Sequence, residues 1–137
     1  MISKVYLIDD DEVCLMSLNY IFSESHYATD CINFKDARLA LAALMQDLED
    51  DNLPEIILLD LHIPEMNGWD FLKALIPYEE QLRNRCFIYV LTSSVNEAEL
   101  LRAQTCGLVY ELVQKPFTAD VLDKCMLDIV FMKTKYA

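Results

Sequence analysis

Residues 55–60 read EIILLD, and the chain continues as LHIPEMNG over residues 61–68. The first stretch is apolar almost throughout and ends in Asp60, while the second contains Pro64 and Gly68, two residues that favour turns. A short, continuous apolar run bounded by turn residues is typical of a parallel strand that is covered on both faces. These residues therefore predict a buried strand whose carboxyl end carries Asp60.

The same pattern recurs along the chain, because apolar runs alternate with stretches in which apolar residues recur at helical spacing. The predicted strands are Lys4–Asp9, Tyr27–Ile32, Glu55–Asp60, Cys86–Leu91 and Val109–Val113. Strands and helices in alternation imply a parallel sheet with right-handed crossovers and helices on both faces. We therefore predict an α/β fold with a five-stranded, doubly wound parallel sheet, in which residues 1–137 form one domain.

Single residues mark where several of the intervening helices begin and end. Asp11 and Thr118 are placed to cap the first and the last helix with their side-chain oxygens. Asn96, followed three residues later by Glu99, has the pattern of a capping box, and Gly107 is placed to stop that helix.

The overall composition limits the class of protein. The chain has 137 residues and is 54% hydrophobic, which suffices for one domain with a core and argues against disorder. It contains no apolar run of the roughly 20 residues that a membrane span needs, and its first residues do not form a signal peptide. Its five cysteines are scattered singly, which favours buried free thiols in a reducing compartment. We therefore expect a cytoplasmic protein.

The chain carries a formal net charge of −12. This charge argues against nucleic-acid binding, because a phosphate backbone would be repelled. It is compatible with a protein partner that has a basic face, or with a site that collects a divalent cation.

Polar residues stand where the predicted strands end. Asp9 and Asp10 end or follow the first strand, Asp60 ends the third, and Thr92 and Lys115 follow the fourth and the fifth. Because the carboxyl ends of parallel strands meet at one edge of a sheet, we expect these side chains to share a pocket. Crowded carboxylates repel each other unless a cation intervenes, and oxygen ligands suit Mg²⁺. An aspartate can then attack a phosphoryl group to form an acyl phosphate, whose oxygens a lysine and a threonine stabilise.

In this order and at these strand ends, the residues resemble the receiver domain of two-component response regulators, which has a flavodoxin-like (βα)5 sandwich fold. The resemblance implies that Asp60 is the residue that accepts the phosphoryl group. It implies that Asp9, Asp10 and Asp60 form the Mg²⁺ site, with Asp10 as the direct ligand of the acidic pair. It also implies that the backbone carbonyl of His62 completes this metal site.

The resemblance further assigns the phosphoryl-binding hydroxyl to Thr92 and the phosphoryl-binding ammonium to Lys115, whose bond to Pro116 is expected to be cis. One position departs from the family. Many receivers have an aromatic residue three positions before the lysine, and this chain has Leu112 there. Tyr110 should point to the same side of the strand as Leu112, and a bulge would let Tyr110 act as the substitute. The sequence leaves open which of the two takes that place.

The function that the resemblance implies is that of a stand-alone response regulator. Such a protein accepts a phosphoryl group from a phosphohistidine of a histidine kinase or a histidine phosphotransfer protein. It then switches its affinity for a downstream protein target or relays the phosphoryl group. It promotes its own phosphorylation and slow dephosphorylation without being a turnover enzyme. We expect no nucleic-acid partner and no membrane insertion.

Two alternatives remain open at this point. The first is a hydrolase of the haloacid-dehalogenase type with Asp9 as nucleophile, because Asp9, Asp11 and Val13 after an apolar strand fit that family's motif. That family needs a further acidic pair at a later strand end, whereas Asp120 and Asp123 fall in a helix pattern. The second alternative is a receiver that signals without phosphate, and the complete acidic set speaks against it.

Overall fold

The computed structural model describes residues 2–27 and 30–135. The strands are β1 Val5–Ile8, β2 Cys31–Phe34, β3 Ile56–Asp60, β4 Phe87–Thr92 and β5 Val109–Gln114. The helices are α1 Glu12–Ser25, α2 Ala37–Glu49, α3 Gly68–Leu75, α4 Glu79–Leu82, α5 Glu97–Thr105 and α6 Ala119–Lys135, with a 3-10 turn at Ile76–Tyr78. All neighbouring strands pair in parallel, in the order β2-β1-β3-β4-β5. This architecture confirms the predicted α/β, flavodoxin-like fold.

The sheet separates two hydrophobic cores. Helices α2, α3 and α5 cover one face, where Leu44 and Phe71 are buried, and α1 and α6 cover the other face, where Phe22 is buried. All residues of β3 are buried, and neighbours along it serve different cores, since Leu59 belongs to the first and Leu58 to the second. A strand with apolar partners on both sides has no polar face, which is why its sequence reads as a continuous apolar run.

The second strand differs from its prediction. The sequence predicts a strand at Tyr27–Ile32, whereas β2 begins at Cys31 and ends at Phe34, and residues 28 and 29 lie outside the described residues. The physical reason is its place at the edge of the sheet, where all of its residues are at least partly exposed. A half-exposed strand has no continuous apolar run, so pairing with β1 determines where it ends.

The helix ends follow the sequence signals at α1 and α6, and only in part at α5. Asp11 caps α1 and Thr118 caps α6, each by accepting hydrogen bonds from backbone N–H groups of the first turn. Asn96 accepts a hydrogen bond of 2.8 Å from the N–H of Glu99, but the predicted capping box is incomplete, because the Glu99 carboxylate accepts from the side-chain amide of Asn96 and not from its backbone N–H. Gly107 does not end α5, because Cys106, directly after the helix, is already extended.

A β-bulge lengthens β5 by one residue. Ile88 of β4 pairs with Val109, but the next residue, Tyr89, pairs with Glu111. Tyr110 is therefore the extra residue of the bulge. An extra residue inverts the alternation of side chains along the strand, so the residues before and after it follow different phases.

The bulge separates the side chains of Tyr110 and Leu112. The ring of Tyr110 lies 5.7 Å from that of Phe87 and 5.4 Å from that of Tyr89, measured between centroids, and these two rings belong to the core under α1 and α6. Leu112 packs against the opposite core, under α2, α3 and α5. The prediction of one shared side is therefore wrong, because Tyr110 is the extra residue of the bulge and the alternation of side chains breaks there.

The cysteines are free thiols, as predicted, but only Cys86 and Cys125 are fully buried. Cys14, Cys31 and Cys106 are half-buried, so the prediction of burial holds for two of the five. Among the described residues, no helix combines the length and the apolar character that crossing a membrane requires.

Candidate functional site

The ends of β1 and β3 bring acidic side chains together. Asp9 directly follows β1 and Asp60 is the last residue of β3, and the pairing of Ile8 with Leu59 makes them neighbours. Both carboxylates are buried, with Asp9 1% and Asp60 6% exposed. Asp10 is exposed to solvent. One carboxylate oxygen from each of the three acids lies within 4.8 Å of the others.

Lys115 reaches both buried carboxylates from the end of β5. Its Nζ lies 2.9 Å from Oδ2 of Asp9 and 3.5 Å from Oδ2 of Asp60. Its backbone N–H donates a hydrogen bond of 2.8 Å to the carbonyl of Thr92, which fixes the start of the loop after β5. The peptide bond to Pro116 is cis, as expected. Residues from three strand ends thus meet at one ammonium group.

Burial and charge act differently on the two buried acids. Burial raises the pKa of Asp60 above its ordinary value; repulsion from Asp9 adds to this, while a hydrogen bond from the backbone of His62 opposes it. Burial also acts to raise the pKa of Asp9. Hydrogen bonds from the Cys14 thiol, a backbone N–H and Lys115 nevertheless bring the pKa of Asp9 below its ordinary value. Asp9 is therefore the more firmly ionised of the two and the main counter-ion of Lys115.

The pKa of Lys115 responds to the same pair. Burial acts to lower it, but the hydrogen bond to Asp9 and the charges of Asp60 and Asp9 raise it above its ordinary value. Lys115 therefore stays cationic and compensates part of the negative charge at this edge of the sheet.

Thr92 ends β4 and is completely buried. Its hydroxyl donates a hydrogen bond of 3.1 Å to the carbonyl of Ser94. The hydroxyl is thus turned toward its own loop, and binding an anion beside Asp60 requires it to exchange this bond for one to the anion.

His62 lies on the loop that follows Asp60. Its backbone N–H donates a hydrogen bond of 3.1 Å to Oδ1 of Asp60, which holds the carboxylate and the loop together. Its imidazole is exposed and extends toward α5, where Nε2 lies 3.5 Å from Oε2 of Glu99.

Two residues of the site were not expected from the sequence. The Cys14 thiol lies beside Asp9, and burial together with its interaction with this carboxylate raises the pKa of Cys14 to about 12. Cys14 lies in the first turn of α1, so its place five residues after a strand-end acid is a signal that could have pointed to it. Glu99 had been assigned only a capping role, and nothing in its local sequence indicates the approach of His62.

The oxygen atoms of this edge fit a small divalent cation. Mg²⁺ takes oxygen ligands and is usually held by one or two carboxylates, and here three carboxylates offer oxygens within 4.8 Å of one another. Two of these groups, Asp9 and Asp60, are buried and compensated only in part by Lys115. The donor chemistry and the excess negative charge therefore both suit a magnesium ion.

Residues 5–126 match the response regulator receiver domain family. The chain belongs to this family. Receiver domains are signalling domains rather than enzymes that turn over small substrates, and they generally bind Mg²⁺ at a cluster of aspartates like the one described above. They interact with histidine kinases or phosphotransfer proteins and with downstream targets. The comparisons give no support to the hydrolase alternative.

Curated relatives of this receiver include proteins of very different length. It is 28% identical over 122 residues to the regulatory protein AtoC of Escherichia coli (strain K12), a match that covers 89% of the chain and 24% of AtoC. It is 26% identical over 125 residues to the hybrid signal transduction histidine kinase C of Dictyostelium discoideum, covering 88% of the chain but 10% of that kinase. The sporulation initiation phosphotransferase F of Bacillus subtilis (strain 168) is 27% identical over 121 residues, with 88% of the chain and 87% of the relative covered.

Solved structures similar to this receiver share its fold. A two-component response regulator from Cytophaga hutchinsonii has a TM-score of 0.87 at 24% identity, with 94% of this chain and 97% of that chain covered. The chemotaxis protein CheY4 of Vibrio cholerae has a TM-score of 0.75 at 22% identity, with 94% and 99% covered. At these identities, the likeness is one of architecture.

Proposed function

We propose that this receiver accepts a phosphoryl group on Asp60 from a phosphohistidine of a histidine kinase or a histidine phosphotransfer protein. It then switches its affinity for a protein partner or relays the phosphoryl group. The observation that carries the proposal is the position of Asp60. Its carboxylate is buried at the end of β3, 3.5 Å from the ammonium of Lys115 and beside Asp9 and Asp10.

In the transfer step, a carboxylate oxygen of Asp60 forms a bond to the phosphorus atom of the donor. The bond between phosphorus and the donor's imidazole nitrogen breaks, and its electron pair returns to that nitrogen. The product is an acyl phosphate on Asp60 and a free histidine on the donor. No oxidant or reductant takes part.

The surrounding side chains orient and stabilise the group that is transferred. Lys115 is within reach of Asp60 and offers positive charge to the phosphoryl oxygens. The hydroxyl of Thr92 exchanges its hydrogen bond with the carbonyl of Ser94 for one to a phosphoryl oxygen. This exchange moves the loop between β4 and α5, and it links the chemical state of Asp60 to the outer surface of the domain.

We assign the metal site to Asp9, Asp10 and Asp60, together with the backbone carbonyl of His62. Mg²⁺, when bound, supplies the positive charge that offsets the negative charge of an incoming phosphoryl group. Asp10 is the only exposed carboxylate of the three, so it is the one that meets the ion from solvent.

The phosphoryl group leaves by the reverse transfer or by hydrolysis. In hydrolysis, a water oxygen attacks phosphorus, the bond to the Asp60 oxygen breaks, and the carboxylate and inorganic phosphate are released.

We propose that the chain promotes both its own phosphorylation and this slow loss, that residues 1–137 act as one domain, and that it works in the cytoplasm. The names of the relatives from Dictyostelium and Bacillus, a hybrid histidine kinase and a phosphotransferase, support donors of this class.

Phosphoryl uptake from radiolabelled acetyl phosphate in the presence of Mg²⁺ tests the assignment of Asp60. We expect the wild-type chain to be labelled and Asp60→Asn to take up no label, because an amide is not a nucleophile for phosphorus. Asp50→Asn is the matched control: it removes the same charge from an exposed position at the far end of α2 and should be labelled like wild type. Normal labelling of Asp60→Asn would exclude Asp60 as the acceptor.

A further inference from the structure

The contact between His62 and Glu99 connects the loop after β3 to the first turn of α5, beside the carboxylate of Asp60. His62 lies on the loop after β3, and Glu99 lies in the first turn of α5, which follows β4. Because β3 and β4 are neighbours in the sheet, both loops emerge at the same edge, next to Asp60. The distance from Nε2 of His62 to Oε2 of Glu99 is 3.5 Å.

The two oxygens of the Glu99 carboxylate differ in their hydrogen bonding. Its Oε1 accepts a hydrogen bond of 3.1 Å from the side-chain amide of Asn96. Its Oε2 is buried and has no hydrogen-bond partner among residues 2–27 and 30–135. A buried acceptor without a partner is costly, since it has lost its water and gained nothing in return. His62 is the only residue in the described part of the chain that forms an ion-pair contact with Glu99.

The two partners differ in how firmly they are held. The side chain of Glu99 is 15% exposed, whereas that of His62 is 63% exposed. Glu99 is fixed by the cap with Asn96, and its own N–H completes that cap. An exposed imidazole thus faces a buried acceptor oxygen on a side chain that Asn96 holds in place.

We propose that Glu99 is a positioning residue for the imidazole of His62, which it holds against α5 by offering its buried Oε2, 3.5 Å from Nε2, as the acceptor for the ring N–H. A neutral imidazole carries this N–H in one of its tautomers, so the contact does not require a protonated ring. The backbone N–H of His62 is hydrogen-bonded to the carboxylate of Asp60. The direction of the His62 side chain therefore determines how open the path of water to Asp60 is. Glu99 thereby controls how long a phosphoryl group on Asp60 survives, a consequence that rests on the function proposed above.

Nuclear magnetic resonance tests the positioning without any phosphoryl chemistry. The chain has two histidines, so the imidazole signals of His62 can be assigned from a His62→Gln variant. We expect Overhauser contacts between the imidazole protons of His62 and the γ-methylene protons of Glu99, and a single χ1 rotamer of His62. Glu99→Gln should average the rotamer of His62. An averaged rotamer in the wild-type chain would overturn the proposal.

The matched control is Glu97→Gln. Glu97 belongs to the same first turn of α5 and carries the same charge, but it is exposed and, within residues 2–27 and 30–135, forms no hydrogen bond or ion pair with His62. Glu97→Gln should leave the rotamer of His62 unchanged. If both substitutions average the rotamer of His62 equally, the loss of a negative charge from α5 is the cause, and the proposed role of Glu99 is wrong.

A double-mutant cycle on the lifetime of the phosphorylated chain tests the functional consequence. We expect Glu99→Gln to change the rate constant for loss of label by about threefold, the size of effect typical of a partly exposed polar pair. In the His62→Ala background, Glu99→Gln should have no further effect. Equal effects in both backgrounds would overturn the pair as the cause. A chain that takes up no label at all contradicts the proposed function. The positioning of His62 by Glu99 is tested separately, by the nuclear magnetic resonance experiment alone.

Discussion

Asp10 is the exposed member of the acidic cluster that it forms with Asp9 and Asp60. Asp9 and Asp60 are buried against Lys115, whereas Asp10 is exposed. An oxygen of Asp10 nevertheless lies within 4.8 Å of an oxygen of each of the other two acids. We predict that Asp10→Asn weakens Mg²⁺ binding about tenfold, because it removes one full charge and one ligand oxygen from the site. Calorimetric titration of the chain with Mg²⁺ measures this directly.

Asp11→Asn provides the control for that titration. Asp11 is adjacent to Asp10 and carries the same charge, but its side chain caps α1. Asparagine caps a helix as well as aspartate does, so this substitution removes charge without loosening the helix. We expect Asp11→Asn to bind Mg²⁺ nearly as well as wild type. Equal weakening by both substitutions would show that net charge, and not ligation by Asp10, controls the affinity.

Lys115 compensates two buried carboxylates, and its removal should be felt in stability. We predict that Lys115→Ala lowers the free energy of unfolding by roughly 2 kcal/mol without metal, less than a fully buried pair because the lysine is partly exposed. Added Mg²⁺ should restore part of the loss, since a cation replaces the missing charge. Urea denaturation with and without Mg²⁺ measures both effects.

Lys35→Ala is the reference for an exposed ion pair. Lys35 bonds Glu12 at the surface, 2.6 Å away. Its removal should change the free energy of unfolding by no more than about 0.5 kcal/mol, with no dependence on Mg²⁺. If Mg²⁺ stabilised Lys115→Ala no more than wild type, the lysine would not be the counter-ion of the acidic cluster.

At the scale of elements, Gly68 permits the close approach of α3 to the end of β3. A Cβ atom there would lie 2.8 Å from Cα of Leu61 and 2.9 Å from the carbonyl oxygen of Asp60, both of them backbone atoms. We predict that Gly68→Ala costs about 1–3 kcal/mol of stability and slows phosphoryl uptake, because the backbone of Asp60 and Leu61 must shift. Thermal unfolding and the acetyl phosphate assay together measure the two effects.

The other glycine of the chain is a natural control. The three atoms nearest to a Cβ atom at Gly107 would all belong to the carboxylate of Glu79, the nearest at 2.6 Å, and that side chain can rotate away. Gly107→Ala should therefore leave both stability and phosphoryl uptake close to wild type. If the two substitutions had the same effect, the tight backbone contact at Gly68 would not matter for the site.

The buried elements could be predicted from the sequence, and the exposed ones only in part. β3 was predicted almost to its ends, because burial on both faces leaves a continuous apolar run. β2 was misplaced, because a half-exposed edge strand carries no such signal. A bulge near Tyr110 was one of the alternatives that the sequence left open, but the sequence did not predict that Tyr110 would turn to the face opposite Leu112.

The candidate site follows the same division. Its acids, its threonine and its lysine could be placed because each stands at a strand end, and parallel strands deliver their ends to one edge. The thiol of Cys14 and the contact between His62 and Glu99 could not be placed in this way. Both depend on how a helix and a loop pack beside the site, and packing leaves no periodic signal in a single sequence.

At the scale of the whole molecule, the sheet is buried on both faces. Substitutions at two adjacent residues of β3, whose side chains lie on opposite faces, test this. Leu58 belongs to the core under α1 and α6, and Leu59 to the core under α2, α3 and α5. We predict that Leu58→Ala and Leu59→Ala each lower the free energy of unfolding by about 2–5 kcal/mol. Chemical denaturation measures both.

Leu39→Ala supplies the comparison, because Leu39 is 64% exposed on α2. This substitution should change stability by no more than about 0.5 kcal/mol. If one face of β3 were exposed to solvent, one of the two β3 substitutions would change the free energy of unfolding as little as Leu39→Ala does. That result would contradict a doubly wound sheet.

The most direct test of the account locates the phosphoryl group in the wild-type chain. The chain is incubated with acetyl phosphate and Mg²⁺, the acyl phosphate is trapped by reduction with borohydride, and the modified residue is identified by mass spectrometry of its peptides. We predict that the modification lies on Asp60, at the end of β3. Modification of Asp9 instead, with Asp60→Asn still labelled, would contradict the account.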